Sequence, residues 1–307
     1  MRRRDFLALA ALSLLHACNR AGAPARARYT VWGQQGRRNG SFVKPRAIGV
    51  SGDEVYVIDT TGRVQVFSFG GEFLRNWSTP AYDNGTPSAV SSDRKGNLLI
   101  PDTHYSQILE YTPEGELLNR WGSYGTGEDE FIYPTGIAQG PDGIHFISEY
   151  GMGAERVHVF DADRRFLRQW GAHGEAEGQF NRAMAIALDD KGTVYVVDTA
   201  NHRVQCFDAK GTLLRVIGEV GAAPGQLKFP HDIALAPDGS LFLCEYGNHR
   251  VSRFSLDGEF IACYGRAGRK PGEFNGPRGI AVSQDGVVFV ADTDNHRIQR
   301  MDVGGLT

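Results

Sequence analysis

The chain has 307 residues, 22% of them charged and 41% hydrophobic, and a net charge of −3. This composition is ordinary for a soluble globular protein and argues against a general binder of polyanions. Beyond the first 18 residues, no stretch comes near the roughly 20 apolar residues that cross a bilayer.

The N-terminus, MRRRDFLALAALSLLHAC, opens with arginines and continues in an apolar run from Phe6 to Leu15. The run is too short to span and has the charged front of an export signal. Arg3-Arg4-Asp5-Phe6-Leu7 is similar to a twin-arginine signal, which exports proteins already folded. Leu15-His16-Ala17-Cys18 resembles a bacterial lipobox, with His16 standing where a small residue is usual. Acylation there would make Cys18 the mature N-terminus. The expectation is an export signal over 1–17, a flexible tether over 18–28, and a body over 29–307 that is periplasmic or membrane-anchored outside the cytoplasm.

The body repeats. GRVQVF (62–67), SQILEY (106–111), ERVHVF (155–160), HRVQCF (202–207), HRVSRF (249–254) and HRIQRM (296–301) mark six units. Their apolar anchors Val64, Ile108, Val157, Val204, Val251 and Ile298 are 44, 49, 47, 47 and 47 residues apart. A fixed period of this size marks a repeat architecture. Within 171–217 a glycine-rich loop is followed by MAIAL, TVYVVD, RVQCF and TLLRVI, each bounded by Gly, Asp or Asn. These read as four short strands without helical periodicity. The first two are nearly continuously apolar, as for strands covered on both faces, and outer ones such as FLRQW (166–170) alternate. Six such sheets predict an all-β, six-bladed β-propeller of four-stranded antiparallel blades. A solenoid of sheets is the alternative.

The last unit stops at RIQRMDVGGLT and lacks an outer strand, whereas YTVW (29–32) has no unit of its own. The N-terminal strand 29–32 is therefore expected to join the last blade, closing the ring and removing exposed edges. No disulfide is needed for this. Cys206, Cys244 and Cys263 all sit in apolar strand contexts and read as inert buried thiols, their pairing state open.

VDTANHRVQCF (197–207) and ADTDNHRIQ (291–299), each preceded by a G-x-F-x-x-P-x-x-I-A pattern, resemble NHL repeats, and the resemblance runs from Tyr29 to about Asp302. It implies a six-bladed propeller and is nearly silent on function, because that family includes RNA-binding domains, sensors and a zinc lyase. The Asn-His-Arg corner falls between the second and third strands. Asn suits the left-handed backbone of a tight turn. Arg can reach the acidic residue ending the second strand: Asp59, Asp102, Glu149, Asp198, Glu245 or Asp292. A feature recurring around the ring is expected to fasten blades, since one active site needs one copy. The G-x-x-G-x-x-x-G loops precede no helix, so they read as crossings between blades and not as phosphate cradles. One crossing departs from the rest. Trp77 to Pro87 spans 10 residues, where Trp121 to Pro134 and Trp170 to Ala183 span 13.

Function in a symmetric scaffold should lie where equivalent positions differ. The residue after the Pro that opens each inner strand is Arg46, Ser88, Thr135, Met184 (after Ala183), His231 and Arg278. With Asp232, these are the candidate ligand-binding ring at one mouth of the channel, with Arg46, Arg278 and His231 on one arc. Similarity to peptidyl-hydroxyglycine amidating lyase would imply zinc ligands at this register, but only His231 is an imidazole there. His145, His158 and His173 fall out of register, and a catalytic zinc needs three protein ligands. Propeller lactonases hold calcium in the channel, which wants six to eight oxygens; this ring offers two hydroxyls and Asp232. No Gly-x-Ser-x-Gly elbow is present. The expectation is a monomeric binding, interaction or ligand-sensing module, more readily that than an enzyme, without a cofactor. Its partner would be an envelope protein or a small anion, with no nucleic acid and membrane attachment only through Cys18. A zinc- or calcium-dependent propeller enzyme is the alternative.

Overall fold

The computed structural model describes residues 27–304. The twin-arginine-like motif, Cys18 and most of the tether lie outside the described residues. Six four-stranded antiparallel sheets make up the body. Blade one runs through Pro45–Ser51, Glu54–Asp59, Arg63–Ser68 and Phe73–Ser78, and blade two through Ser91–Ser92, Leu98–Asp102, Gln107–Tyr111 and Leu117–Trp121. Blade three holds Tyr133–Gln139, His145–Tyr150, Arg156–Phe160 and Phe166–Trp170; blade four holds Ala183–Leu188, Val194–Asp198, Arg203–Phe207 and Leu213–Ile217. Blade five holds Pro230–Leu235, Ser240–Glu245, Arg250–Ser255 and Phe260–Tyr264. Blade six has three late strands, Gly279–Val282, Val288–Asp292 and Arg297–Asp302, and takes its outer strand from Arg28–Trp32 at the other end of the chain. That closing strand pairs Arg28 with Asp302 through to Trp32 with Ile298. The all-β propeller and its closure by the N-terminal strand are as expected, and the solenoid is excluded.

The apolar runs are continuous because each sheet is covered twice. One core cluster unites Tyr195, Val197 and Val204 of blade four with Ile233, Leu243 and Phe254 of blade five. Another joins Phe42, Val57 and Phe67 of blade one to Phe289 and Ile298 of blade six, with Trp32 packed against it. The core is therefore a set of layers between blades, and a ring left open would expose two of their faces. Cys206 and Cys244 belong to these layers and are buried, whereas Cys263, expected to be buried, is only half-buried because it lies on an outer strand. Burial pushes the Cys206 thiol up to about 12 and the Cys244 thiol well above its usual value, which leaves both unreactive.

The corners fasten the blades, although not by the backbone expected. Asn201 sits in a single 3-10 turn, and the left-handed residue is His202, at φ 58°. His249 and His296 repeat this at 52° and 56°. The Asn side chain is engaged as a donor. Asn201 Nδ2 donates to Asp198 and to the Gly174 carbonyl (2.9 Å) in the incoming crossing. The histidine, displaced into the left-handed position, reaches forward. His202 Nδ1 accepts the Phe229 N–H, His249 the Gly276 N–H and His296 the Lys44 N–H, at 2.9, 2.9 and 3.0 Å. Each arginine pairs with the carboxylate of its own blade, as in Arg203–Asp198 at 2.8 Å and Arg297–Asp292 at 2.6 Å. The glycine crossings are tight for a steric reason. A Cβ on Gly171 (φ 104°) would fall 2.6 Å from the Phe180 ring that seals the loop.

Candidate ligand-binding mouth of the central channel

Inner strands present their unpaired edges to a central cavity of about 320 Å³, lined by Gly49, Ser91, Gln139, Ala187, Asp232 and Ile280 among others. The Pro-plus-one residues stand at one end of it, on the face that carries the corners. Several of them bind the neighbouring blade. Ser88 Oγ lies 2.8 Å from Thr103 Oγ1 and donates to the Thr135 carbonyl at 3.0 Å. Thr135 Oγ1 donates to the Ala183 carbonyl at 2.5 Å, and His231 Nδ1 lies 2.9 Å from the Arg278 carbonyl. Met184 is buried. Asp232 accepts the Ile233 and Ile280 N–H groups, each at 2.9 Å, and takes no ion pair from Arg46 or Arg278.

The guanidiniums are different. Arg46 Nε is buried without a hydrogen-bond partner. Arg278 stacks on the Tyr246 ring, 4.7 Å to its centroid, with one guanidinium nitrogen 3.5 Å from His231 Nε2. A third arginine joins them from blade four. Arg182 lies 5.2 Å over the Tyr150 ring. Among the described residues none of the three forms an ion pair. The carboxylate whose charge acts on Arg46 is Asp294, which Lys44 Nζ already meets at 3.3 Å. Burial, then the charge of Arg278, holds Arg46 below its usual value. Burial, then Arg278, Arg182 and Arg46, drives His231 down to about 3, so the imidazole is neutral. A neutral ring whose Nδ1 meets a carbonyl carries its proton on Nδ1 and a lone pair on Nε2.

Arg182 was not found by aligning on proline, because Ala183 replaces proline in its blade and the side chain comes from the residue before. Its backbone is left-handed at φ 62°. A signal for it does exist in the sequence. The second strand ends in Asp-Thr in four blades (59–60, 102–103, 198–199, 292–293) but in Glu-Tyr-Gly at 149–151 and 245–247. Thr199 and Thr293 donate to the Pro230 and Pro45 carbonyls of the next blade, both at 2.7 Å. Tyr150 and Tyr246, in the blades where Thr135 and His231 make the tie, instead face arginines of the next blade. His104, Tyr133 and Tyr150 continue as a file of rings, 5.7 and 5.6 Å apart, along the same rim. Burial, then Arg46, lowers the His104 value.

The NHL repeat pattern matches residues 180–207, 227–254 and 274–301. Over 126 residues the chain is 27% identical to peptidyl-glycine alpha-amidating monooxygenase B of Xenopus laevis, a match covering 38% of this chain and 14% of that protein. The chain thus spans about one seventh of that relative's length. The structure is similar to virginiamycin B lyase from Staphylococcus aureus (TM-score 0.62, 13% identity, 90% of this chain and 99% of that one). It is also similar to an auxiliary nutrient binding protein from Bacteroides ovatus (TM-score 0.67, 14% identity, 90% and 76%). Likeness at such identity carries the fold alone. The blade count, the closing strand and the repeat pattern agree: the chain carries NHL repeats in blades four to six of a six-bladed β-propeller.

Proposed function

We propose that the protein is an extracytoplasmic binding module that takes a small anion, or the acidic side chain of an envelope partner, at the mouth framed by Arg46, Arg182 and Arg278. The observation that carries this reading is the buried Arg46 Nε without a partner, beside two more arginines that have no acid. A guanidinium binds carboxylate or phosphate through two parallel hydrogen bonds, and the effect grows where water is excluded. Export and anchoring through Cys18 belong to the same proposal. The test is thermal shift with a panel of carboxylates and phosphates on wild type and on Arg46→Ala/Arg278→Ala. Anion-dependent stabilisation in wild type only is expected; equal stabilisation in the variant, or none in wild type, removes the site.

A second reading, a propeller enzyme, draws on one observation. His231 presents a neutral Nε2 beside cations that could hold an anionic intermediate. Among the described residues no group of three His, Cys, Asp or Glu side chains is placed to hold a metal ion, so the zinc and calcium versions have no ligand set there. Turnover lost in His231→Gln, with anion binding retained, would favour this reading.

A further inference from the structure

Three guanidiniums meet at the mouth, and their chemistry constrains the charge of what binds. They come from the starts of the inner strands of blades four, six and one; Arg278 reaches His231 at 3.5 Å, and the charges of all three lower that imidazole. Lys44 pairs with Asp294, and the Glu155 carboxylate accepts the Arg182 backbone N–H, but among the described residues none of the three guanidiniums forms an ion pair. Asp232 pairs with none of them: its oxygens accept backbone N–H groups of the channel wall, and burial raises its carboxyl to about 7.

Two of the arginines are held in place without an acid. Arg278 rests on Tyr246 and Arg182 on Tyr150, and a ring face attracts a cation while leaving the guanidinium edge open; of the N–H donors only one of Arg278 is engaged, by His231. The two tyrosines stand where Thr199 and Thr293 of blades four and six tie to the next blade. In blades three and five Thr135 and His231 make the tie to the next blade instead, which frees the tyrosine faces to seat the two cations. A monoanion would cancel one of three charges and leave the others repelling across a partly buried space.

Resting on the proposed function above, we infer that the mouth selects a compact dianion, either two carboxylates on a short chain or a phosphate monoester, bound by Arg46, Arg182 and Arg278 together. Arg182 supplies the selectivity for the second charge. It comes from the blade before that of His231, whereas Arg278 and Arg46 come from the two blades after it, and its side chain makes no fastening contact.

Calorimetry on the full chain would compare glutarate with butyrate, and methyl phosphate with dimethyl phosphate, in wild type and Arg182→Gln. Arg182 is exposed and its side chain meets only the Tyr150 ring, so an unchanged melting temperature is expected for the variant. The dianion of at least one pair should bind ten-fold or more tightly than its monoanion, and Arg182→Gln should reduce that ratio to below about three. Preference for glutarate assigns two carboxylates, and preference for methyl phosphate assigns a monoester. Equal binding of monoanion and dianion in wild type overturns the inference while leaving the anion site standing, as does a ratio unaltered in Arg182→Gln. Binding of none of the four overturns both.

Discussion

Blades five and two carry the same corner built to different completeness. In blade five, Glu245 Oε1 accepts Arg250 Nε (2.6 Å) and Ser252 Oγ (2.5 Å), and Oε2 accepts the Lys228 N–H (2.9 Å) and Asn248 Nδ2 (2.5 Å). In blade two, Asp102 has only Gln107 Nε2, at 3.0 Å, and its Oδ1 is buried without a partner. The missing donor can be traced. In the other blades the N–H two residues before the proline (Ala183 in blade four) points at the carboxylate, as Lys228 does before Pro230 and Val43 before Pro45. In blade two that residue is Gly85, and its N–H is spent on the Tyr82 carbonyl inside the shortened crossing. Three residues fewer in a loop therefore leave one buried oxygen unsatisfied, and burial raises Asp102 to about 6.

Both corners sit in a closed ring, and opening that ring should outweigh any change at a corner. Deleting residues 28–33 removes the outer strand of blade six and Trp32, which packs on Phe67 and Phe289. The loss should be about 5 kcal/mol or end in aggregation, from an exposed edge and uncovered aromatic surface. Equal melting of the truncated and full chains would refute closure as a source of stability.

Within the ring, the two corners should respond unequally to losing their cation or its substitute. Arg250→Ala strands Glu245, a fully buried carboxylate, and should cost about 3–5 kcal/mol. Gln107→Ala removes a single bond from a carboxyl that burial already disposes towards protonation, and should cost about 1 kcal/mol. Denaturant unfolding of both variants checks this. A Gln107 loss as large as that of Arg250 would mean that the corners are alike after all.

The fold was legible because the period of 47 residues and the Asn-His-Arg corner are written into the chain three times over. The corner's role was legible from recurrence, but not which residue turns left-handed, because His and Asn both tolerate that backbone and only the hydrogen bonds decide between them. At the mouth, Arg46, Arg278 and His231 were visible as differences among equivalent positions. His231 proved to be partly a tie to the next blade, which no alignment position could reveal. Arg182 stayed hidden because the alignment followed proline, although the change from Asp-Thr to Glu-Tyr-Gly marked its platform. The shortened crossing at 77–87 is visible in the sequence as a loop difference. Its consequence for Asp102 depends on where one N–H points.

The smallest effect expected is also the most specific to the two corners. Asp102 titrates near 6 in the folded protein against 3.8 unfolded. A raised carboxyl value means that its contribution to stability is fully present below about 4 and is lost as pH rises through about 6. Asp102→Asn removes the ionised form that the blade-two corner cannot satisfy and keeps a carbonyl oxygen for Gln107. It should therefore stabilise the protein by about 1 kcal/mol at pH 7.5, with the gain shrinking to nothing near pH 4. His231, held near 3, and Asp232, raised to about 7, titrate over overlapping ranges, but they are present in both proteins and cancel in the difference. Paired unfolding curves of wild type and variant at the two pH values isolate the corner. A difference that does not change with pH would show that the unpartnered oxygen of Asp102 finds a donor in solution, and the contrast with Glu245 would then rest on the arginine alone.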